Sequence, residues 1–156
     1  MLKNKMFRTC LTIALLVFVL DQITKFLLVT AIGYRQIAVM PYINFVLAYN
    51  KGAAFGILSS AGGWQRWIFI GIATLISIVI FFWSRRLSKR DNLENIGLGL
   101  ILGGAWGNLL DRIRLGYVLD FIDFYIGDWH WYTFNVADIA ICVGAFLLVV
   151  VMFRRG

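Results

Sequence analysis

The chain has 156 residues, 61% of them hydrophobic, and carries a formal net charge of +7. Soluble domains are nearer half apolar, so this balance argues against an ordinary water-soluble globule. The apolar residues gather into four blocks without the two-residue alternation of barrel strands, which argues against a membrane β-barrel as well.

The blocks predict four transmembrane helices over about residues 10–28, 64–83, 93–110 and 136–153. Each is close to the ~20 residues that a helix needs to cross a bilayer core. The expected architecture is a single membrane all-α domain over residues 1–156, with outer segments at 30–63 and 111–135. Lys3, Lys5 and Arg8 precede the first block as in a secretory leader. No small-x-small cleavage site follows, and the hydrophobicity runs past Asp21 to Leu28, so an uncleaved first helix is expected.

Helix one ends in LDQITKFLL, where Asp21 and Lys25 are four apart and share a helical face. They are expected to pair, because charges at a membrane edge are tolerated when partnered. In the first outer segment, YINFVLAYN alternates, with Ile43, Phe45 and Leu47 on one face and Asn44 and Val46 on the other. That predicts a short strand, followed by a turn at NKG and the small apolar run GAAFGILSS. A small β-element lying on the membrane surface is expected, with Trp64 and Trp67 anchoring the start of helix two at the headgroups.

Helix three opens with DNLE, where Asp91 and Glu94 fit a helix-start capping pattern. Gly99, Gly103 and Gly107 then recur every four residues, as on a close-packing helix face. Asn108 and Arg112 share a face near the end of this helix, with Arg112 placed to pair with a carboxylate. The second outer segment is rich in aromatics that suit a membrane interface, among them Tyr125, Trp129, Trp131 and Tyr132. His130 is the sole histidine, which argues against a transition-metal site. Cys10 and Cys142 fall toward opposite ends of the bundle, too far apart for a disulfide, and Cys142 is expected to pack as a small apolar residue.

Charge predicts the orientation. Nine of the fifteen basic residues lie at the two termini and between helices two and three, beside only Asp91 and Glu94. The intervening segments hold six bases and six acids. By the positive-inside rule the termini are cytoplasmic. The basic excess is therefore a topology signal, and no nucleic-acid-binding module is present.

Asp120 lies in the extended run YVLDF, and Asp138 opens helix four three residues after Asn135. If helices three and four are neighbours, both carboxyl groups reach the outer face. Two close carboxylates cannot both ionise cheaply, so one retains its proton and the pair can serve as acid and base toward a water. Asn135 as N-cap with Asp138 in the first turn is the local alternative, and the two roles are compatible. Asp123 competes with Asp120, and spacing alone does not choose between them.

Taken together, LDQITK, NKGAAFG, GGAWGNLLDRIRLGYVLDFIDF and FNVADIAICVG resemble the lipoprotein signal peptidases, signal peptidase II. The resemblance spans nearly the whole chain. It implies a membrane aspartic endopeptidase of bacterial origin that cleaves prolipoproteins before a diacylglyceryl-modified cysteine. It places the catalytic pair on Asp120 and Asp138, with Asn50, Gly52, Asn108, Arg112 and Asn135 lining or bracing the site and Asp21 and Lys25 supporting it. It implies no metal or organic cofactor. The expected setting is the cytoplasmic membrane of a bacterium, with the site at the outer face, lipid-modified prolipoproteins and membrane lipid as partners, and a monomeric chain. At the level of composition alone, a small proton-coupled transporter and a non-catalytic scaffold are the competing readings.

Overall fold

The computed structural model describes residues 2–33, 35–52, 62–87 and 92–155. Among these residues four helices and four strands follow in the order α1 (Leu2–Ile32), β1 (Ile37–Met40), β2 (Ile43–Asn50), α2 (Gln65–Ser84), α3 (Asn92–Arg114), β3 (Val118–Ile126), β4 (Trp129–His130) and α4 (Val136–Arg155). Each predicted helical block is present: α1, α3 and α4 run beyond the expected bounds, α1 by eight residues at its start, and α2 is displaced by one residue. Residues 53–60, with most of GAAFGILSS, and Lys89, Arg90 and Asp91 lie outside the described residues.

Helix α3 sits at the centre, packed chiefly against α4 and α1 and less extensively against α2. That position explains its composition. Helices α1, α2 and α4 are long and apolar enough to cross a membrane and turn large apolar side chains outward, such as Leu16, Phe26, Leu75, Phe146 and Phe153. Helix α3 is screened by its neighbours and carries Asn95, Asn108 and Asp111 buried.

Glycine makes this packing possible on two faces of α3. A Cβ on Gly99 or Gly103 would meet the main-chain oxygen of Cys10 at 2.9 Å or of Ala14 at 2.5 Å, both on α1. A Cβ on Gly107 would strike the Asp21 carboxylate. Gly97 and Gly104 press in the same way on Gly144 and Ala137 of α4. The four-residue glycine spacing thus marks the α1 face, and the α4 face uses a second set that this spacing does not reveal.

The strands form one small antiparallel sheet in the order β1-β2-β3-β4, which contains the β-element expected in the first outer segment and continues into the second. Pro41 and Tyr42 turn β1 into β2, with Tyr42 in the left-handed region at φ 72°. A register shift in β2 lies between Phe45, opposite Ile122, and Ala48, opposite Asp120. The extra residue ends the alternation predicted through Leu47. It brings Ala48 and Asn50 onto the face of β3 that carries Asp120.

One expectation is corrected. Cys142 is exposed on α4, whereas Cys10 is the buried cysteine. The capping pattern expected of Asp91 and Glu94 falls partly outside the described residues; within them Glu94 accepts a hydrogen bond from Trp83 Nε1 at 2.8 Å and pairs with Arg155 at 2.5 Å.

Candidate active site

The site lies where the start of α4, the end of α3 and the start of β3 converge. Asn135 and Asp138 cap α4 reciprocally. The Asp138 N–H donates to Asn135 Oδ1 at 3.0 Å, and the Asn135 N–H donates to Asp138 Oδ2 at 3.1 Å. Asn135 is the N-cap expected from NVAD, and the return hydrogen bond from its N–H to Asp138 gives the pair the geometry of a capping box. Asp138 Oδ1 remains available and accepts from Asn108 Nδ2 at 2.9 Å.

Asp120 is 2% exposed on β3. Its Oδ1 accepts from Asn135 Nδ2 at 2.6 Å and its Oδ2 from Asn50 Nδ2 at 3.0 Å. Asn135 therefore touches both aspartates, one through its side-chain nitrogen and the other through its side-chain oxygen and backbone N–H.

One rule orients all three amides. A donor holds each amide oxygen, which turns the nitrogen toward a carboxyl group. The Gly52 N–H donates to Asn50 Oδ1 at 2.9 Å, Lys25 Nζ to Asn108 Oδ1 at 3.2 Å, and the Asp138 N–H to Asn135 Oδ1. Arg112 completes the chain by donating to the Gly52 carbonyl at 3.0 Å. Its second guanidinium hydrogen bond goes to the Asn108 carbonyl, and the group lies over the Phe69 ring. Arg112 is thus within electrostatic reach of the Asp138, Asp120 and Asp111 carboxyl groups, as expected, while these hydrogen bonds go to main-chain carbonyls.

Burial pushes the Asp120 carboxyl up from its ordinary 3.8 to about 7, and the nearby Asp138 charge adds to the rise. The Asn50 and Asn135 donors and the Lys25 charge oppose it without cancelling it. A folded-state value above the unfolded one means that the native protein holds this proton the more tightly. The associated stability is full below about pH 4 and is lost as pH rises through about 7. Asp120→Asn is therefore expected to gain melting temperature relative to the parent between about pH 4 and 8. Thermal unfolding at the two pH values checks this, and a difference independent of pH would contradict it.

Every site residue expected from the sequence falls in this network. Asp21 and Lys25 pair at 2.8 Å as their spacing predicts. Asp111 and Gln22 were not singled out by the sequence. Lys25 also binds Asp111 at 2.7 Å, and Gln22 Nε2 donates to both Asp21 and Asp111. A carboxylate near the end of a membrane helix was the available signal for Asp111. Asp123 lies apart from the pair, accepting from Asn44 and contacting His130 Nδ1 at 2.9 Å.

Comparison with known proteins decides the family. The profile of the family described as signal peptidase (SPase) II matches residues 13–154. The chain belongs to the signal peptidase II family. A lipoprotein signal peptidase of Alteromonas mediterranea is 45% identical over 147 residues, 94% of this chain and 81% of that protein. One from Coxiella burnetii (strain Dugway 5J108-111) is 47% identical over 152 residues, 96% of this chain and 93% of that protein. A solved bacterial membrane enzyme, determined by the in meso method, superposes with a TM-score of 0.81 at 29% identity, covering 95% of this chain and 94% of that one.

As a signal peptidase II this chain is a membrane protease of the aspartic type. The transporter reading is set aside: the family match runs through all four helices and the sheet between them.

Proposed function

We propose that the chain removes signal peptides from diacylglyceryl-modified prolipoproteins, cutting before the lipidated cysteine, with Asp120 and Asp138 as the catalytic pair. The observation that carries this reading is the bridge of Asn135 between two carboxyl groups at the head of α4, one of them held up to about 7. A protonated Asp120 and an ionised Asp138 supply an acid and a base. The helix N-terminus and the donors from Asn108 and Asn135 suit the charge on Asp138.

In this scheme Asp138 takes a proton from a water as the water attacks the scissile carbonyl. Asp120 gives its proton to the carbonyl oxygen, and the pair then protonates the departing amine. No acyl-enzyme forms. Arg112 and Asn50 stand beside the pair and suit a substrate main chain or a developing oxyanion.

All four helices span the bilayer in this account, α3 behind the screen of the other three. The termini and the α2–α3 loop, with Arg85, Arg86, Arg154 and Arg155, are cytoplasmic. The sheet and the aspartate pair then lie at the outer surface of the bacterial cytoplasmic membrane, where a lipidated, membrane-anchored substrate presents its cleavage site.

Purified protein in lipid is expected to cleave a diacylglyceryl-modified prolipoprotein at the bond before the modified cysteine and to leave the unmodified precursor largely intact. Equal cleavage of both forms, or cleavage elsewhere, would overturn the substrate assignment.

A further inference from the structure

Lys25 is a buried tripod beneath the aspartate pair. An ammonium group has three N–H donors and no acceptor. Three acceptors surround Lys25: Asp21 Oδ2 at 2.8 Å, Asp111 Oδ2 at 2.7 Å and Asn108 Oδ1 at 3.2 Å. The side chains of Lys25, Asp21 and Asp111 are each at most 5% exposed.

Each acceptor continues to one member of the pair. Asp21 Oδ1 accepts the N–H of Ala137, the residue before Asp138, at 3.0 Å. Asp111 Oδ2 accepts the N–H of Leu119, the residue before Asp120, at 3.2 Å. Asn108 holds Asp138 Oδ1 directly. Gln22 Nε2 ties the two outer carboxylates together, at 3.2 Å from Asp21 and 3.0 Å from Asp111. The start of α4 and the start of β3 are thereby fastened to one point on α1.

We propose that Asp21, Gln22, Lys25 and Asp111 form a positioning brace that sets the separation of Asp120 and Asp138. The inference rests on the reading of those two aspartates as the catalytic pair and assigns Asp111 and Gln22 a part in the reaction. None of the four touches substrate; they act through the backbone just before each reacting group and through Asn108. The mutual repulsion of two carboxylates depends on their distance, so the brace also governs how tightly the pair holds its shared proton.

Two substitutions test the brace without altering charge. Lys25→Arg keeps the cation, but a planar fork cannot replace three diverging donors on a shorter stem. Gln22→Met removes the amide that joins Asp21 and Asp111. The charged groups around the pair, namely Asp21 and residue 25 on α1, Asp111 and Arg112 on α3, and the pair itself, all keep their charge in both variants. A change in the pH profile therefore reports geometry.

Cleavage of a lipidated prolipoprotein is measured per folded molecule across pH. Lys25→Arg is expected to lower kcat at least about tenfold with KM within about threefold, and to move the basic limb of the kcat/KM profile by about half a pH unit or more. Gln22→Met is expected to move kcat and the limb the same way by less. If Lys25→Arg does not accumulate as folded protein, Gln22→Met decides. Folded variants with reduced stability but the parental kcat and pH profile would reduce the brace to scaffolding and overturn the inference. Asp120→Asn and Asp138→Asn, run in parallel, keep the two levels apart. Retained activity there would refute the catalytic pair itself, whatever the brace variants do.

Discussion

Asp138→Asn and Asp120→Asn are each expected to reduce turnover of a lipidated prolipoprotein by roughly 10²–10⁴-fold or more while leaving the protein folded. Loss of a positioned general acid or base costs about that much. The change is isosteric, and each asparagine can still accept through one oxygen. The N-cap hydrogen bond from the Asn135 N–H and the Asn135 contact to residue 120 therefore have an acceptor in the variants. What disappears is the ability to take up or release a proton. The two effects are not expected to add, because acid and base act on one water and one carbonyl. Turnover by the single and double variants checks this, with thermal unfolding as the control for folding. A folded single variant within tenfold of the parent would remove that residue from the chemistry.

Gly103→Leu carries the largest expected effect on stability. Even a Cβ at this position would lie 2.5 Å from the Ala14 carbonyl oxygen and 2.7 Å from the Val17 Cβ, and neither is the mobile end of a side chain. Relief requires α3 to move away from α1. That movement would also pull Asn108 and Asp111 away from Lys25, whose contacts cross the same interface. Overpacking of this kind costs about 3 kcal/mol or more. The expected result is poor recovery of folded enzyme, and low activity in whatever folds. Gly71→Leu is the matched control, since a Cβ there meets nothing within 4 Å on the outward side of α2. Equal melting temperatures for the two variants would contradict the packing account.

Much of this site is legible in the sequence where its logic is local. NVAD announces a cap at Asn135 with Asp138 in the first turn because both lie within one turn of one helix. Asp21 and Lys25 announce an ion pair because four residues bring them onto one face. The glycines of α3 announce close packing through their spacing. The remainder depends on partners far apart in the chain. Asp111 meets Gln22 across 89 positions, and the Gly52 carbonyl that receives Arg112 is 60 positions away. Neither pairing has a sequence period. The register shift in β2 is also silent, because an alternating pattern states which residues share a face only while the ladder is regular. That one inserted residue determines whether Asn50 faces Asp120. The polar character of α3 has a similar origin, since its neighbours, and not its own composition, decide that it is shielded.

The family resemblance and the geometry meet at Asn135. From the sequence alone it is a cap residue. In the fold its side chain donates to the Asp120 carboxyl group and accepts the Asp138 N–H, and its amide orientation is imposed by the first turn of the helix that it starts. Helix initiation and arrangement of the candidate reacting groups are thus served by the same hydrogen bonds, so a change that weakens the cap is expected to disturb the pair.

The most direct test of the central claim, that Asp120 and Asp138 share a proton to activate water, is the pH dependence of kcat/KM for a lipidated prolipoprotein. A pair that works with one proton between its members requires a bell-shaped profile, with activity falling on the basic side through about pH 7 as Asp120 ionises. An activity that rises through pH 7 and levels off above it, as expected for a nucleophile activated by a neutral base, would contradict the account.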